Sequence, residues 1–187
     1  MRQLEVIDRD ERRIARLVDD LLDLGRIRSG QLHLELASMD LCELVNEIAR
    51  RMTVEIGRSG SPLTLAADSP VVGRWDRSRL DQVVTNLLAN ALKFGQGKPI
   101  DVRVTADDGR ARLVVADNGI GIAPELHQRI FEPFERATEA RQYGGLGLGL
   151  YIVRTIVERL GGEARVESER GRGSCFTVEL PLEAGAV

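Results

Sequence analysis

The apolar residues between positions 80 and 115 change from a helical to an alternating period, and this change constrains the fold more than any other feature. The positions at helical spacing, which predict one amphipathic helix, are Leu80, Val83, Val84, Leu87, Leu88, Ala91 and Leu92. After a glycine- and proline-containing break at 95–99, residues 100–104 and 111–115 alternate around Asp108-Gly109, which predicts a hairpin with one buried face. A striped helix and a one-sided hairpin each need an apolar partner. We therefore predict an α/β two-layer sandwich, with helices stacked on one face of a mixed, mostly antiparallel sheet.

Other stretches extend this pattern. The further predicted elements are a strand at 32–36, a helix from Asp40 to about Gly57, a short hairpin of 63–67 with 71–74, a helix at 148–160 and a second hairpin of 164–167 with 175–180. Asp40, with Glu43 three residues later, has the pattern of a capping box, and Asp76 is a suitable N-cap for the helix at 80–92. Both caps support the predicted helix starts.

The N-terminal residues 3–28 predict one long helix with a narrow apolar seam. The seam follows a heptad rhythm and consists of Ile7, Ile14, Leu17, Leu21 and Leu24. At 1.5 Å per residue the helix is about 40 Å long, and Gly30 ends it. Such a seam favours another helix as its partner; the alternative is packing on the main domain. We divide the chain into residues 1–30, which carry this helix, and residues 31–187, which form the globular domain.

Composition excludes several classes of function. Hydrophobic residues make up 43% of the 187 residues, which is enough for a substantial core. Aromatic residues make up only 4% and the formal net charge is −3, so we expect no nucleic-acid partner and no direct membrane contact. Cys42 and Cys175 lie far apart without a CxxC motif and are interpreted as buried, reduced cysteines; the alternative is a disulfide between them. We expect a cytoplasmic chain, even where it forms the tail of a longer membrane receptor.

Polar residues on the helix at 80–92 and just after it suggest a site for a phosphorylated ligand. Asn86 and Asn90 are four residues apart and Lys93 follows three residues later, so all three can share one helix face. An amide oxygen is a hard ligand that suits Mg²⁺, and an ammonium group suits a phosphate. A polar, solvent-facing stripe would have the same spacing, so this pattern alone decides nothing.

Two stretches with glycines complete the predicted site. Residues 143–150 place four glycines directly before an amphipathic run, and backbone N–H groups at such a helix N-terminus can cradle phosphates. Asp117, followed by Gly119 and Gly121, places a carboxylate at the end of an apolar strand and before a turn. A glycine-rich stretch alone is equally typical of a hinge. Three signals in this order predict a nucleotide site.

The order of these motifs resembles the catalytic ATP-binding domain of bacterial sensor histidine kinases, in the wider family with gyrase, the heat-shock ATPase chaperones and MutL. The motifs that carry the resemblance are an Asn box at 86–93, a first glycine box at 117–122, a Phe box at 130–134, a second glycine box at 145–150 and a last glycine motif at 171–176. They cover roughly residues 40–181. Residues 16–24 resemble the end of the second helix of the kinase dimerisation hairpin, and in that family two hairpins form a four-helix bundle.

The resemblance implies roles for the matching residues, with ATP and Mg²⁺ as ligands. Asp117 would accept a hydrogen bond from the adenine amino group, Asn90 would hold Mg²⁺ with Asn86 near it, and Lys93 would contact a phosphate. The other residues it assigns to the site are Gly119, Gly121, Ile122, Phe134, Arg136, Gly145, Leu146, Gly147, Leu148, Gly149, Leu150 and Thr177. Residues 131–146 predict a mobile lid.

Two positions distinguish this chain within the wider family. The hydrolysing relatives carry a general-base Glu four residues before the metal-binding Asn, and Asn86 stands there in this chain. Because an amide takes no proton at pH 7, we predict weak hydrolysis and transfer to a histidine imidazole instead. Leu146 stands where many of these kinases have Ser or Thr, so a hydroxyl that could reach a phosphate is absent.

Neither histidine matches the family's phosphoacceptor, which precedes an acidic residue and has a downstream Pro. His33 and His127 are both interpreted as surface residues. We therefore expect a histidine kinase module that phosphorylates a His on a dimerisation domain outside this chain, for relay to a response regulator, with homodimer formation through residues 3–28. The alternatives are an anti-sigma-type, partner-switching Ser kinase and a degenerate nucleotide-binding scaffold.

Overall fold

The computed structural model describes residues 21–22, 24–25, 33–67, 69–135 and 146–183. Its helices are α1 (Leu41–Arg51), α2 (Thr53–Ser59), α3 (Arg77–Phe94) and α4 (Gly149–Arg159), with short 3₁₀ helices at Pro124–Leu126 and Arg129–Phe131. Its strands are β1 (Ala37–Asp40), β2 (Leu63–Ala66), β3 (Val72–Trp75), β4 (Ile100–Asp107), β5 (Arg110–Asp117), β6 (Glu163–Glu169) and β7 (Gly173–Pro181).

Within the described residues, the main sheet has five strands in the order β2-β4-β5-β7-β6. The β2–β4 pair is parallel and the other pairs are antiparallel, which confirms the predicted mixed, mostly antiparallel sheet. Alternate residues of β4, β5 and β7 are buried, and the buried residues of α1, α3 and α4 belong to the same apolar cluster. The predicted two-layer sandwich is therefore confirmed, and both hairpins, β4–β5 and β6–β7, form as expected.

The predicted hairpin of 63–67 with 71–74 is wrong. β2 pairs in parallel with β4, with Leu63 opposite Ile100, whereas β3 pairs with β1 in a separate two-stranded sheet. The two strands are close in sequence, but each finds its hydrogen-bond partner elsewhere in the chain. The predicted strand at 32–36 is also wrong, since residues 33–36 have no regular structure ahead of β1. His33 is exposed, which confirms its predicted surface position.

The helix predicted from Asp40 to Gly57 is two helices. Asp40 caps α1 as expected, because its carboxylate accepts the Cys42 N–H at 2.9 Å. The helix then breaks at Met52, and the Thr53 hydroxyl donates to the Arg50 carbonyl at 2.7 Å. A Thr hydroxyl that bonds to the preceding turn competes with the backbone ladder and bends helices, which accounts for the break.

Asp76 joins the segment before β1 to the start of α3. Its buried carboxylate accepts hydrogen bonds from the Arg79 N–H, the Ser78 hydroxyl and the Glu35 N–H. Burial acts to raise the pKa of Asp76, but these hydrogen bonds outweigh it and hold the pKa below its ordinary value. The predicted N-cap is confirmed, and the same carboxylate holds Glu35 onto the globular domain.

Little of the N-terminal helix falls within the described residues. Residues 21–22 and 24–25 are helical; Leu24 is buried and belongs to the main core, whereas Leu21 and Leu22 are exposed. The remainder of 3–28, with Ile7, Ile14 and Leu17, lies outside the described part. Within that part, no helix is long and apolar enough to cross a membrane. Cys42 is buried as expected, but Cys175 is only half-buried, and both are free thiols.

Candidate functional site

Asp117 ends β5 with its side chain on the helix-facing side of the sheet, where it is only 7% exposed. Its carboxylate accepts the Gly119 N–H at 2.8 Å, and the Ser174 N–H from the neighbouring strand β7. Burial raises the pKa of Asp117 above its ordinary value, and the two N–H groups and the charge of Lys98 only partly oppose this. A buried carboxylate with these fixed donors is a strong acceptor for one further donor.

The first glycine box, 117–122, lies between the end of α3 and the turn that joins β6 to β7. A Cβ at Gly119 would lie 2.0 Å from the Phe94 carbonyl oxygen, so only glycine fits there. The Ile120 N–H donates to that same Phe94 oxygen at 3.2 Å, and the Gly171 N–H donates to the Ile120 carbonyl at 2.7 Å. Gly121 lies against the Glu169 carbonyl. The loop is thus fixed on both sides next to Asp117.

Thr177 does not belong to this cluster. It pairs with Val114 in β5, and because side chains alternate along a strand, it lies on the face of the sheet opposite Asp117. Ser174, which we did not select from the sequence, is buried on the same face as Asp117 and pairs directly with it. Its even spacing from the buried Phe176 was the signal that could have identified it.

The second end of the site is the start of α4. The N-cap position of α4 is Leu148, and its apolar side chain cannot accept a hydrogen bond from the first N–H groups of the helix. The Asn86 side chain of α3 reaches this point, and its Nδ2 donates to the Gly149 carbonyl at 3.4 Å. Since the amide nitrogen is engaged there, its oxygen remains an acceptor at the helix N-terminus.

Asn90 and Lys93 continue the same face of α3 toward the loop at 117–122, which we call the base loop. Both are half-buried, and the Lys93 Nζ lies 4.6 Å from the centre of the Phe94 ring. From Asn86 to Phe94 the helix rises about 12 Å. One face of α3 therefore connects the N-terminus of α4 with the loop that carries Asp117.

The two ends of the predicted lid meet. The Phe134 N–H donates to the Gly147 carbonyl at 3.1 Å. Residues 135 and 146, at the two ends of the lid, therefore lie close together. Phe134 is 53% exposed beside this point. The rest of the lid, including Arg136, Arg141 and Gly145, lies outside the described residues.

The leucines of the second glycine box contribute to the core. Leu148 is fully buried, so its side chain cannot reach a ligand and only its backbone is available. Leu146, Leu150 and Ile122 are half-buried and pack against the same core. Leu146 thus anchors the returning end of the lid by apolar contact.

The burial of Asp117 predicts a pH dependence of stability. Because its pKa is raised in the folded chain, the folded state binds more protons than the unfolded state above the ordinary value of 3.8. The contribution of the protonated Asp117 carboxyl to stability is fully present below that value and is lost as the pH rises through the raised pKa. We therefore expect the free energy of unfolding to fall with rising pH in the wild type relative to Asp117→Asn. Urea unfolding across this window measures the difference, and parallel pH profiles would contradict the prediction.

Comparison with known proteins identifies the family. The model of the histidine kinase-, DNA gyrase B-, and HSP90-like ATPase family matches residues 75–184. The chain belongs to this ATPase family. Among the described residues, no cluster of three or more His, Cys, Asp or Glu side chains could hold a metal ion.

The similar proteins are sensor histidine kinases. The autoinducer 2 sensor kinase/phosphatase LuxQ of Vibrio cholerae is 38% identical over 175 residues, which cover 89% of this chain and 20% of LuxQ. Full-length ShkA in complex with AMPPNP has a TM-score of 0.81 and 33% identity, over 94% of this chain and 37% of ShkA. ThkA in complex with the response regulator TrrA has a TM-score of 0.74 and 25% identity, over 96% of this chain and 50% of ThkA. This chain thus spans half or less of the length of each of these proteins.

Proposed function

We propose that this ATPase domain binds ATP and Mg²⁺ along α3 and transfers the γ-phosphate to a histidine of a dimerisation domain outside this chain. The observation that carries the proposal is that one face of α3 joins the uncapped N-terminus of α4, at Asn86, to the buried Asp117 carboxylate. A phosphate tail at one end and an adenine at the other match these two environments.

At the base end, Asp117 accepts the amino group of adenine. Guanine has a carbonyl oxygen at that position, which would face the carboxylate acceptor and be rejected. Discrimination by a buried hydrogen-bonding group is strong because the wrong ligand leaves that group unpaired. Ser174, beside Asp117, and the backbone of Gly119 and Gly121 complete this end.

At the phosphate end, the amide oxygens of Asn90 and Asn86 are hard donors that fit Mg²⁺. Bound there, Mg²⁺ would neutralise part of the phosphate charge. Farther along the same face of α3, Lys93 adds a positive charge that contacts a phosphate, and the N–H groups at the start of α4 bind the phosphate oxygens. Arg136 and Gly145 belong to the proposed lid that closes over them.

The acceptor and partners follow from the similar kinases. A solved structure holds ThkA with its response regulator, which supports relay of the phosphate to such a regulator here. We assign residues 1–30 to the second helix of a dimerisation hairpin and residues 31–187 to the catalytic domain, with homodimer formation through 3–28 and a cytoplasmic location.

Transfer of labelled phosphate tests this function. The chain is mixed with [γ-³²P]ATP, Mg²⁺ and a separately produced histidine-bearing hairpin from a related sensor kinase. We expect label on the hairpin that is stable in alkali and lost in acid, as phosphohistidine is. Acid-stable label on serine would indicate the partner-switching alternative, and no label with intact ATP binding would contradict kinase activity toward this acceptor.

Asn86→Glu is expected to raise ATP hydrolysis by about tenfold or more. Asn86 occupies the point where α3 meets the start of α4, and a carboxylate there can accept a proton from water, which an amide cannot. Phosphate release measures the rate, and Asn86→Gln is the matched control without a base. Rapid turnover by the wild-type chain would contradict the account of Asn86.

A further inference from the structure

The hydroxyl of Ser168, near the end of β6, lies at a junction of the two glycine motifs that frame Asp117. Its Oγ lies 2.8 Å from the Ile122 nitrogen, 2.7 Å from the Gly173 carbonyl oxygen and 3.0 Å from the Ser174 Oγ. Ile122 ends the base loop, and Gly173 and Ser174 begin β7 beside it. One side chain therefore contacts both walls of the base end.

The donors and acceptors at this junction leave one consistent arrangement. The Ile122 N–H can only donate, so Ser168 accepts it, and the Gly173 carbonyl can only accept, so it receives the Ser168 proton. Ser174 must then donate to Ser168 across the 3.0 Å contact. Ser168 thereby fixes the direction of the Ser174 hydroxyl, whose residue pairs with Asp117 across β5 and β7.

The base loop is held at its two ends. Asp117 is fixed by pairing with Ser174 between β5 and β7, and Ile122 is held by its backbone. The Ile122 carbonyl also lies 3.3 Å from the Nε2 of His127, which is half-buried rather than on the open surface as we predicted. Removal of the Ser168 hydroxyl would leave the Ile122 N–H without this partner and release the Ser174 hydroxyl.

We propose that Ser168 is a positioning residue for recognition of the adenine amino group. It holds the loop 117–122 and the Ser174 hydroxyl so that the Asp117 carboxylate meets the base. The proposal rests on the proposed ATP-binding function. Ser168 itself contacts only protein groups, so its effect on the ligand passes through Asp117 and Ser174.

The test compares two ligands that differ only in the group read by Asp117. We expect Ser168→Ala to weaken binding of AMPPNP about tenfold, and to weaken binding of the AMPPNP analogue that lacks the 6-amino group far less. Ser168→Thr keeps the hydroxyl and retains most of the affinity. Ser78→Ala, which removes a 2.7 Å hydrogen bond to Asp76 at the opposite end of α3, is the control for a general loss of stability.

An unchanged affinity of Ser168→Ala for AMPPNP, or an equal loss for both ligands, overturns the proposal. Amide hydrogen exchange over 119–122, measured without ligand, is a second and independent test. We expect this exchange to be faster in Ser168→Ala than in the wild type or in Ser78→Ala. If the wild type binds neither ligand, the proposed function fails, while unchanged exchange shows separately that Ser168 does not hold the loop.

Discussion

Asp117→Asn is expected to weaken binding of AMPPNP by about 100-fold. The carboxylate already accepts N–H groups from Gly119 and Ser174, and the adenine amino group would be its third donor. An amide keeps the size of the side chain but turns one acceptor oxygen into an NH₂ group, which faces a donor. Because the site is buried, water cannot relieve this mismatch.

Calorimetric titration measures this loss, and Asp81→Asn is the matched control. Asp81 also lies on the ATPase domain, but its carboxylate pairs with Arg51 on the outer side of the helices. Its substitution should leave nucleotide affinity unchanged. If Asp117→Asn bound AMPPNP as tightly as the wild type, Asp117 would not take part in recognition of the adenine base.

Gly173→Ala is expected to lower the free energy of unfolding by about 3 kcal/mol and to abolish measurable nucleotide binding. Gly173 has φ +96°, and a Cβ there would lie 2.0 Å from the Asp117 carbonyl oxygen and 2.7 Å from the Asn118 Cα. Both contacts are with backbone that cannot rotate away. The strand end that carries Asp117 must therefore move.

Gly171→Ala separates backbone strain from this collision. Gly171 has φ +82° in the same β6–β7 turn, but nothing lies within 4 Å of a Cβ there. We expect a loss of about 1 kcal/mol, from the left-handed conformation alone, and retained binding. Urea unfolding compares the two variants. Equal losses in the free energy of unfolding would show that the collision with Asp117 does not contribute to the destabilisation.

Elements whose partners are near in sequence were predictable. The apolar residues at helical spacing predict α3. The Asp108-Gly109 turn is enough to predict that β4 pairs with β5. Asp40 and Asp76 cap helices because capping depends on the next few residues. The positions of Asn86 on a helix face and of Asp117 at a strand end were also predictable, because both are local properties.

Features that depend on distant partners were not predictable from local patterns. β2 and β3 have ordinary strand composition, but their partners, β4 and β1, are set by how the layers assemble. Thr177 was assigned to the site and Ser174 was overlooked because the face of β7 depends on its register with β5. The part played by Ser168 depends on loops that meet only in the folded domain.

The most direct measurement is a calorimetric titration of this chain and of Asn90→Ala with AMPPNP, with and without Mg²⁺. We predict binding by the wild type that is strengthened by Mg²⁺, and a loss of about tenfold in Asn90→Ala that is confined to the Mg²⁺-containing titration. A folded wild-type chain that binds no AMPPNP in either condition would contradict the account and favour a scaffold that has lost its nucleotide chemistry.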